Sequence, residues 1–191
     1  MDDIVKAALK KWPNVPHCHD WLALDARGDW YMRDDRIQAA GPFPEVKGSR
    51  IMHDKLKEFI HRNYDHDEQG AWFFQNGPQR VYVTLEAAPL VLGVMRGNAA
   101  SLVGSADFCV ETHTGQSVQE VRSAWLDESG RLYLETELGL GVVRSLDMDV
   151  AADAVVAGLW QPQDIDFDLM PRQFGFVRHP QPMKKPATGA G

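Results

Sequence analysis

The sequence has little of what usually announces a chemistry. Only two cysteines occur in 191 residues, Cys18 and Cys109. They make neither a CxxC pair nor a disulfide framework, and a reducing cytoplasm is the setting they imply. No uninterrupted apolar run approaches the ~20 residues that span a bilayer. The longest, Ala87 to Met95, contains Pro89 and Gly93 and reads as a buried strand. The opening MDDIVKAALKKWP reaches Lys10 and Lys11 after only a few apolar residues, so it lacks the apolar region of a signal peptide. Positive charge is also short: 20 Lys and Arg face 27 Asp and Glu, a net charge of -7. General affinity for nucleic-acid phosphates or anionic lipid is therefore not expected. Walker-type and G-x-S-x-G sequences are absent, and Gly139-Leu-Gly141-Val-Val-Arg144 lacks the third glycine of the dinucleotide fingerprint.

What remains is a folded chain, with 44% hydrophobic and 25% charged residues. Charge is distributed unevenly. Residues 1–98 carry 13 basic and 14 acidic side chains, whereas residues 99–170 carry 3 and 13. An anion site must draw mainly on the first half.

Asp2 or Asp3 caps an expected short helix with Ile4, Val5, Ala8, Leu9 and Trp12 at helical spacing, ended by Pro13 and Pro16. Trp21–Leu24, Asp25-Ala-Arg-Gly28 and Asp29–Arg33 read as strand, tight turn and strand. A loop from Ala40 to Gly48 leads to Ser49 as the expected N-cap of a helix over Arg50 to about Tyr64, with Met52, Leu56, Phe59 and Ile60 on its apolar face. Strands are expected at 71–75, 80–86, 90–95, 106–112, 118–126 and 131–137, a short helix at 150–157, and an edge strand over Asp164–Leu169. From Arg178 onward a Pro, Lys, Gly and Ala run is expected to be disordered.

The pattern L-D-x-x-G-x-x-Y occurs at Leu24–Tyr31 and again at Leu126–Tyr133, and Asp67-x-x-Gly70 repeats its turn. Independent hairpins built from common turn residues and a true duplication both account for it. The class expected is α+β, with two similar β-rich units of antiparallel hairpins and one helix each. The division is an N-terminal helix and linker (1–19), an N-terminal unit (20–98), an acidic C-terminal unit (99–177) and a tail (178–191).

Gly28–Tyr31, Lys55–Ile60 and Glu86–Pro89 supply a G-x-W/Y-F/Y hairpin, a helix with a K/R-L-x-x-x-F/I pattern and a strand ending in E-x-A-P. With these motifs the chain resembles a small proteobacterial family of domains of unknown function over most of residues 20–160. The resemblance implies a duplicated β-rich core, a C-terminal unit superficially like a pleckstrin-homology fold, and a ligand site between the domains. It also implies a nucleotide-like ligand and a role in signal transduction, and it carries no catalytic residue.

Residue chemistry suggests one binding constellation. Trp30, Tyr31, Arg33 and Arg36 near the first hairpin, Lys47 and Arg50 near the expected helix start, and Trp72, Phe74, Gln75 and Arg80 on the second hairpin can form a pocket. There a planar ring would stack, an anion would meet arginine, and the helix N-terminus at Ser49–Met52 would add backbone donors. Core packing of the aromatics and solvation of the arginines is the alternative. His17 and His19 could share a metal only if further ligands converged on them. His53 and His61 read as part of a solvated helix face. Asp164, Asp166 and Asp168 lack the glycine and glutamate of a calcium loop.

The expectation is a cytoplasmic, non-catalytic ligand-binding or regulatory module without cofactor or membrane association, taking a nucleotide-like small molecule between its units. The alternatives are a metal-dependent hydrolase and an interaction adaptor whose acidic second half meets a basic protein.

Overall fold

The structure is a computed structural model, and it describes residues 1–97 and 108–182. Two six-stranded sheets with a few helices make an α+β protein of two similar β-rich units. The chain starts with α1 (Asp3–Lys11), as its apolar spacing predicts. Asp2 does not bond its own helix through its side chain. Instead its backbone N–H donates to Asn63 Oδ1 at 2.8 Å and its carboxylate takes Arg62, which docks α1 on the first unit.

The first sheet contains β1 (Cys18–Leu24), β2 (Trp30–Met32), β3 (Ser49–Arg50), β4 (Tyr64–His66), β5 (Trp72–Asn76) and β6 (Gln79–Leu85). Their order is β3-β2-β1-β6-β5-β4. The hairpins are antiparallel as expected, but β1 and β6 at the centre run parallel, because the chain crosses over between residues 25 and 78 before returning.

Two helices serve this sheet. The first, α2 (Asp35–Ala40), has no counterpart in the sequence reading. Asp34 caps it by accepting from Ile37 N–H at 3.0 Å, and Gly41 follows it. The second, α3 (Asp54–Arg62), starts four residues later than expected. Ser49 and Arg50 pair with Met32 and Tyr31, and Ile51 N–H donates to the Trp30 carbonyl at 2.8 Å. The backbone donors of Ser49–Met52 expected to meet an anion are thus part of a sheet edge, and His53 becomes the N-cap.

The second sheet contains β7 (Leu90–Arg96), β8 (Phe108–Thr112), β9 (Val121–Leu126), β10 (Leu132–Thr136), β11 (Gly139–Val143) and β12 (Gln163–Asp164). The order is β12-β9-β10-β11-β7-β8, again with a parallel junction inside the sheet, β11 beside β7. The sheets therefore change over between Leu85 and Leu90, and the expected boundary at residue 98 lies outside the described residues. The expected strand over Asp164–Leu169 is limited to β12. Beyond it, Phe167 N–H donates to the Glu128 carboxylate and Leu169 N–H to the Asp166 carbonyl, and these bonds turn the chain into α5 (Met170–Phe174).

One face of the second sheet closes against the first unit. Val91, Tyr133, Leu140 and Val142 join Leu22, Leu24, Trp30, Val83 and Leu85 in one core. The other face receives α4 (Met148–Val156). Leu90, Leu92, Val94, Leu134 and Val143 meet Ala151, Ala154 and Trp160 there. Alternate residues of β7 go to different cores, which is why its sequence is apolar at successive positions rather than every second one. The end of the chain packs back: Val177 bridges to Ala71, and Leu85 N–H donates to the Arg178 carbonyl at 2.8 Å. Residues 178–182 thus follow an ordered core edge, and residues 183–191 of the expected tail lie outside the described residues.

Candidate functional site

Three turns of the same construction organise the molecule. In each, the aspartate N–H donates to the carbonyl of the residue four positions on, and the glycine N–H donates to the aspartate carbonyl: Asp25/Gly28/Asp29, Asp67/Gly70/Ala71 and Asp127/Gly130/Arg131. One carboxylate oxygen accepts two further N–H groups, from Arg27 and Asp29, Gln69 and Ala71, and Ser129 and Arg131 respectively, all within 2.8–3.0 Å. The other oxygen accepts a tyrosine hydroxyl: Tyr31 at 3.2 Å, Tyr82 at 3.0 Å and Tyr133 at 3.0 Å. The glycines have φ of 89°, 77° and 78°, a left-handed conformation that residues with a side chain rarely adopt. The L-D-x-x-G-x-x-Y pattern is therefore a structural unit: Asp ties the loop and Tyr ties the Asp.

Burial alone would raise the Asp25 carboxyl. The Lys47 ammonium and the N–H groups of Asp29 and Arg27 outweigh it and hold the group below the usual carboxylate range. Asp127 is held low in the same way, by Arg131 N–H, Ser129 and Tyr133 against the effect of burial. Both aspartates are charged at neutral pH and fully occupied within their turns.

The first and third turns flank a cleft of about 520 Å³ between the two units. Ala26 and Arg27 line it from one side, and Ser129, Gly130 and Arg131 from the other. The end of β11 at Val142 and Val143, whose side chains are buried in the two cores, and Met148 close it from the second unit, and Lys47 and Glu86 face it from the first. Its size is that of a small-molecule site. Lys47 Nζ donates to Asp25 Oδ2 at 2.8 Å and to Glu86 Oε2 at 3.3 Å. Desolvation works against the ammonium, but the two carboxylates outweigh it and raise its pKa. Arg131 is aimed by its surroundings: Nε donates to Ser129 Oγ at 3.0 Å, and the guanidinium lies 4.8 Å above the Phe167 ring, which also carries Arg178 at 4.1 Å. The Arg27 guanidinium makes no ion pair or hydrogen bond among the described residues.

The residues of the expected polar-aromatic pocket are spread over several environments. Lys47 lines the cleft, and Tyr31 lies behind it, its ring 5.4 Å from the Lys47 ammonium. Arg50 pairs with Asp29 of the first turn at 2.5 Å. Trp30 is wholly buried and donates from Nε1 to His61 Nε2 at 3.0 Å, so neither ring face can receive a ligand. Arg33 is buried and donates to the carbonyls of Gly41 and Val46, which shapes the loop before β3. Arg36 is exposed and pairs with Asp34. Phe74 packs edge-on against Phe59, and Gln75 is buried with its amide on the Gly77 carbonyl. Arg80 covers the Phe73 ring at 4.4 Å, and Trp72 stands between Tyr64 and His66, away from the cleft. The strand aromatics obey the core-packing alternative because the pleat turns them inward.

Arg27, Glu86, Ser129 and Arg131 were absent from the expected set. For Arg27, Ser129 and Arg131 the turn repeat is the signal, since each adjoins a turn glycine in sequence, and Glu86 lies outside the turns. His17 and His19 both pack on Tyr82, with ring centroids at 5.8 and 4.6 Å. Among the described residues no three His, Cys, Asp or Glu side chains stand close enough to hold a metal ion. His61 is not on a solvated face: it packs against Trp30 and His113.

A family model described as "Protein of unknown function (DUF2946)" matches residues 1–181. The chain belongs to this family. Two solved structures are similar to this DUF2946 chain. A DUF1285 family protein from Shewanella baltica OS155 shares 20% identity over 70% of this chain and 91% of its own, with a TM-score of 0.44. A DUF1285 family protein from Silicibacter pomeroyi DSS-3 shares 13% over 73% of this chain and 72% of its own, with a TM-score of 0.50. At these identities the likeness concerns fold alone. No curated protein matches the chain, and no helix among the described residues is long and apolar enough to cross a membrane.

Proposed function

We propose that this DUF2946 protein is a non-catalytic, cytoplasmic ligand-binding or regulatory module that takes a small anionic, nucleotide-like molecule in the cleft between its units. The observation that supports this most is the pairing of the two equivalent turns across one cleft, with Arg27, Lys47 and Arg131 on its walls. Guanidinium and ammonium groups suit a phosphate, and Met148 offers an apolar contact to the less polar part of the same ligand. A molecule held by both turns would tie the two sheets together, which is how binding would become a signal.

Thermal-shift titration against AMP, GMP and inorganic phosphate tests the proposal. A rise in melting temperature with AMP or GMP, lost in Arg27→Ala, is the expected outcome. No response to any of them at millimolar concentration would contradict it.

A second reading, an adaptor for a basic partner protein, is favoured by a groove of about 580 Å³ on the outer edge of the second sheet, where Glu128, Asp164, Asp166 and Asp168 gather.

A further inference from the structure

The cleft contains an anion of its own. Lys47 Nζ reaches the buried Asp25 at 2.8 Å and the more exposed Glu86 at 3.3 Å. Glu86 Oε2 also accepts the Ala26 N–H at 3.3 Å. The two contacts differ in kind. Asp25 is locked into its turn by two backbone donors and the Tyr31 hydroxyl. Glu86 has only the Lys47 ammonium and the Ala26 amide among the described residues, both at the long end of hydrogen bonding. The lysine needs one carboxylate to complete the turn, and the second is surplus to that role. Glu86 also places its charge in the same cleft as Lys47 and Arg27.

We infer that Glu86 is a built-in competitor for the cation subsite of this cleft. Its carboxylate occupies one side of the Lys47 ammonium and the Ala26 amide, and an incoming anion binds by taking over those two donors as Glu86 swings out. No bond is made or broken covalently in this exchange. The residue thereby weakens the cleft for anions and sets which ones it accepts: a phosphate monoester, bearing more charge and more acceptor oxygens than a carboxylate, displaces it more readily than a carboxylate does. The inference rests on the ligand reading of the cleft given above.

Isothermal titration of wild type and Glu86→Gln with AMP, and with adenosine as the uncharged control, tests it. Glutamine keeps an acceptor for Ala26 N–H and removes only the charge. AMP should bind E86Q about tenfold more tightly than wild type, because a like charge facing the ligand is gone. Adenosine should be unaffected, and Arg27→Ala should cancel the gain. A gain in E86Q over a wild type too weak to measure supports the inference equally. AMP binding that is equal or weaker in E86Q, or a gain shared with adenosine, overturns the inference while leaving the cleft as a ligand site. Absence of binding in both proteins overturns the cleft reading as well. Melting curves run alongside establish that E86Q is folded, and Glu86→Ala serves as a second charge-removing variant.

Discussion

His113 shows how a single side chain can record the packing of two units. It follows β8, lies 5.6 Å from the Trp30 ring and 5.8 Å from His61, and accepts the Val91 N–H at Nδ1. Its Nε2 is shut off from solvent and has no partner among the described residues. Burial, with the neighbouring His61 adding to it, lowers its pKa from an ordinary 6.5 to about 3. In the unfolded chain the ring takes up a proton as pH falls below 6.5, whereas in the folded state it stays neutral until about 3. The folded state is therefore fully favoured above pH 6.5 and loses stability as pH falls through that window, at up to ~1.4 kcal/mol per pH unit. His17, His19, His61 and His179 are also shifted down by burial and add to the same loss. Chemical denaturation between pH 7 and 4.5 should show this slope, and His113→Gln should make it shallower. A slope unchanged by the substitution would mean that the ring takes up its proton as readily in the folded state as in the unfolded one. Asp25 and Asp127, held low, add their own loss only nearer their folded values, at more acid pH.

At the scale of elements, the turns of the repeat were readable because Asp and Gly have specific duties in them. Gly70 and Gly130 perform the same duty in different surroundings. Both have φ near 78°, but a side chain at Gly130 would meet nothing within 4 Å, whereas one at Gly70 would collide with the Gly175 carbonyl of the returning chain. Gly130→Ala should cost about 1 kcal/mol, from backbone conformation alone. Gly70→Ala should cost at least twice that, because the chain end must also move. Equal losses in denaturant unfolding would show that the backbone of the returning segment does not press on the turn. Other elements were less legible for definite reasons. Ser49 has the chemistry of a helix cap, but a neighbouring strand offered its backbone partners first, and the cap passed to His53. The two-residue strands β3 and β12 are too short to carry a period of two. The α2 helix was signalled only by Asp34 before it and Gly41 after it.

At the scale of the whole molecule, the two similar β-rich units could be read from the sequence, but the sharing of one core by both sheets could not. Tyr133 and Val142 look like any alternating strand residues until the packing places them against Leu22 and Trp30. The same gap separated the expected pocket from the cleft. The aromatic and arginine residues have the chemistry that fits a nucleotide, yet the pleat carries Trp30 and Phe74 inside and Arg33 into the loop it supports. The cleft is formed by sequence-distant turns, and only their common pattern linked them in advance. The charge asymmetry placed an anion site in the first half. Arg27 and Lys47 belong to that half, but Arg131 belongs to the acidic one, because the two turns face the same space and carry their arginines at different turn positions, Arg27 before its glycine and Arg131 after.

Binding of one ligand by both turns together is tested most directly by a titration of the ¹⁵N-labelled protein with AMP, followed in amide correlation spectra. Saturable shifts with a common affinity are expected at Ala26 and Arg27 and at Ser129, Gly130 and Arg131. Shifts confined to one turn, shifts centred on Asp164–Asp168 instead, or spectra unchanged at millimolar AMP would contradict it.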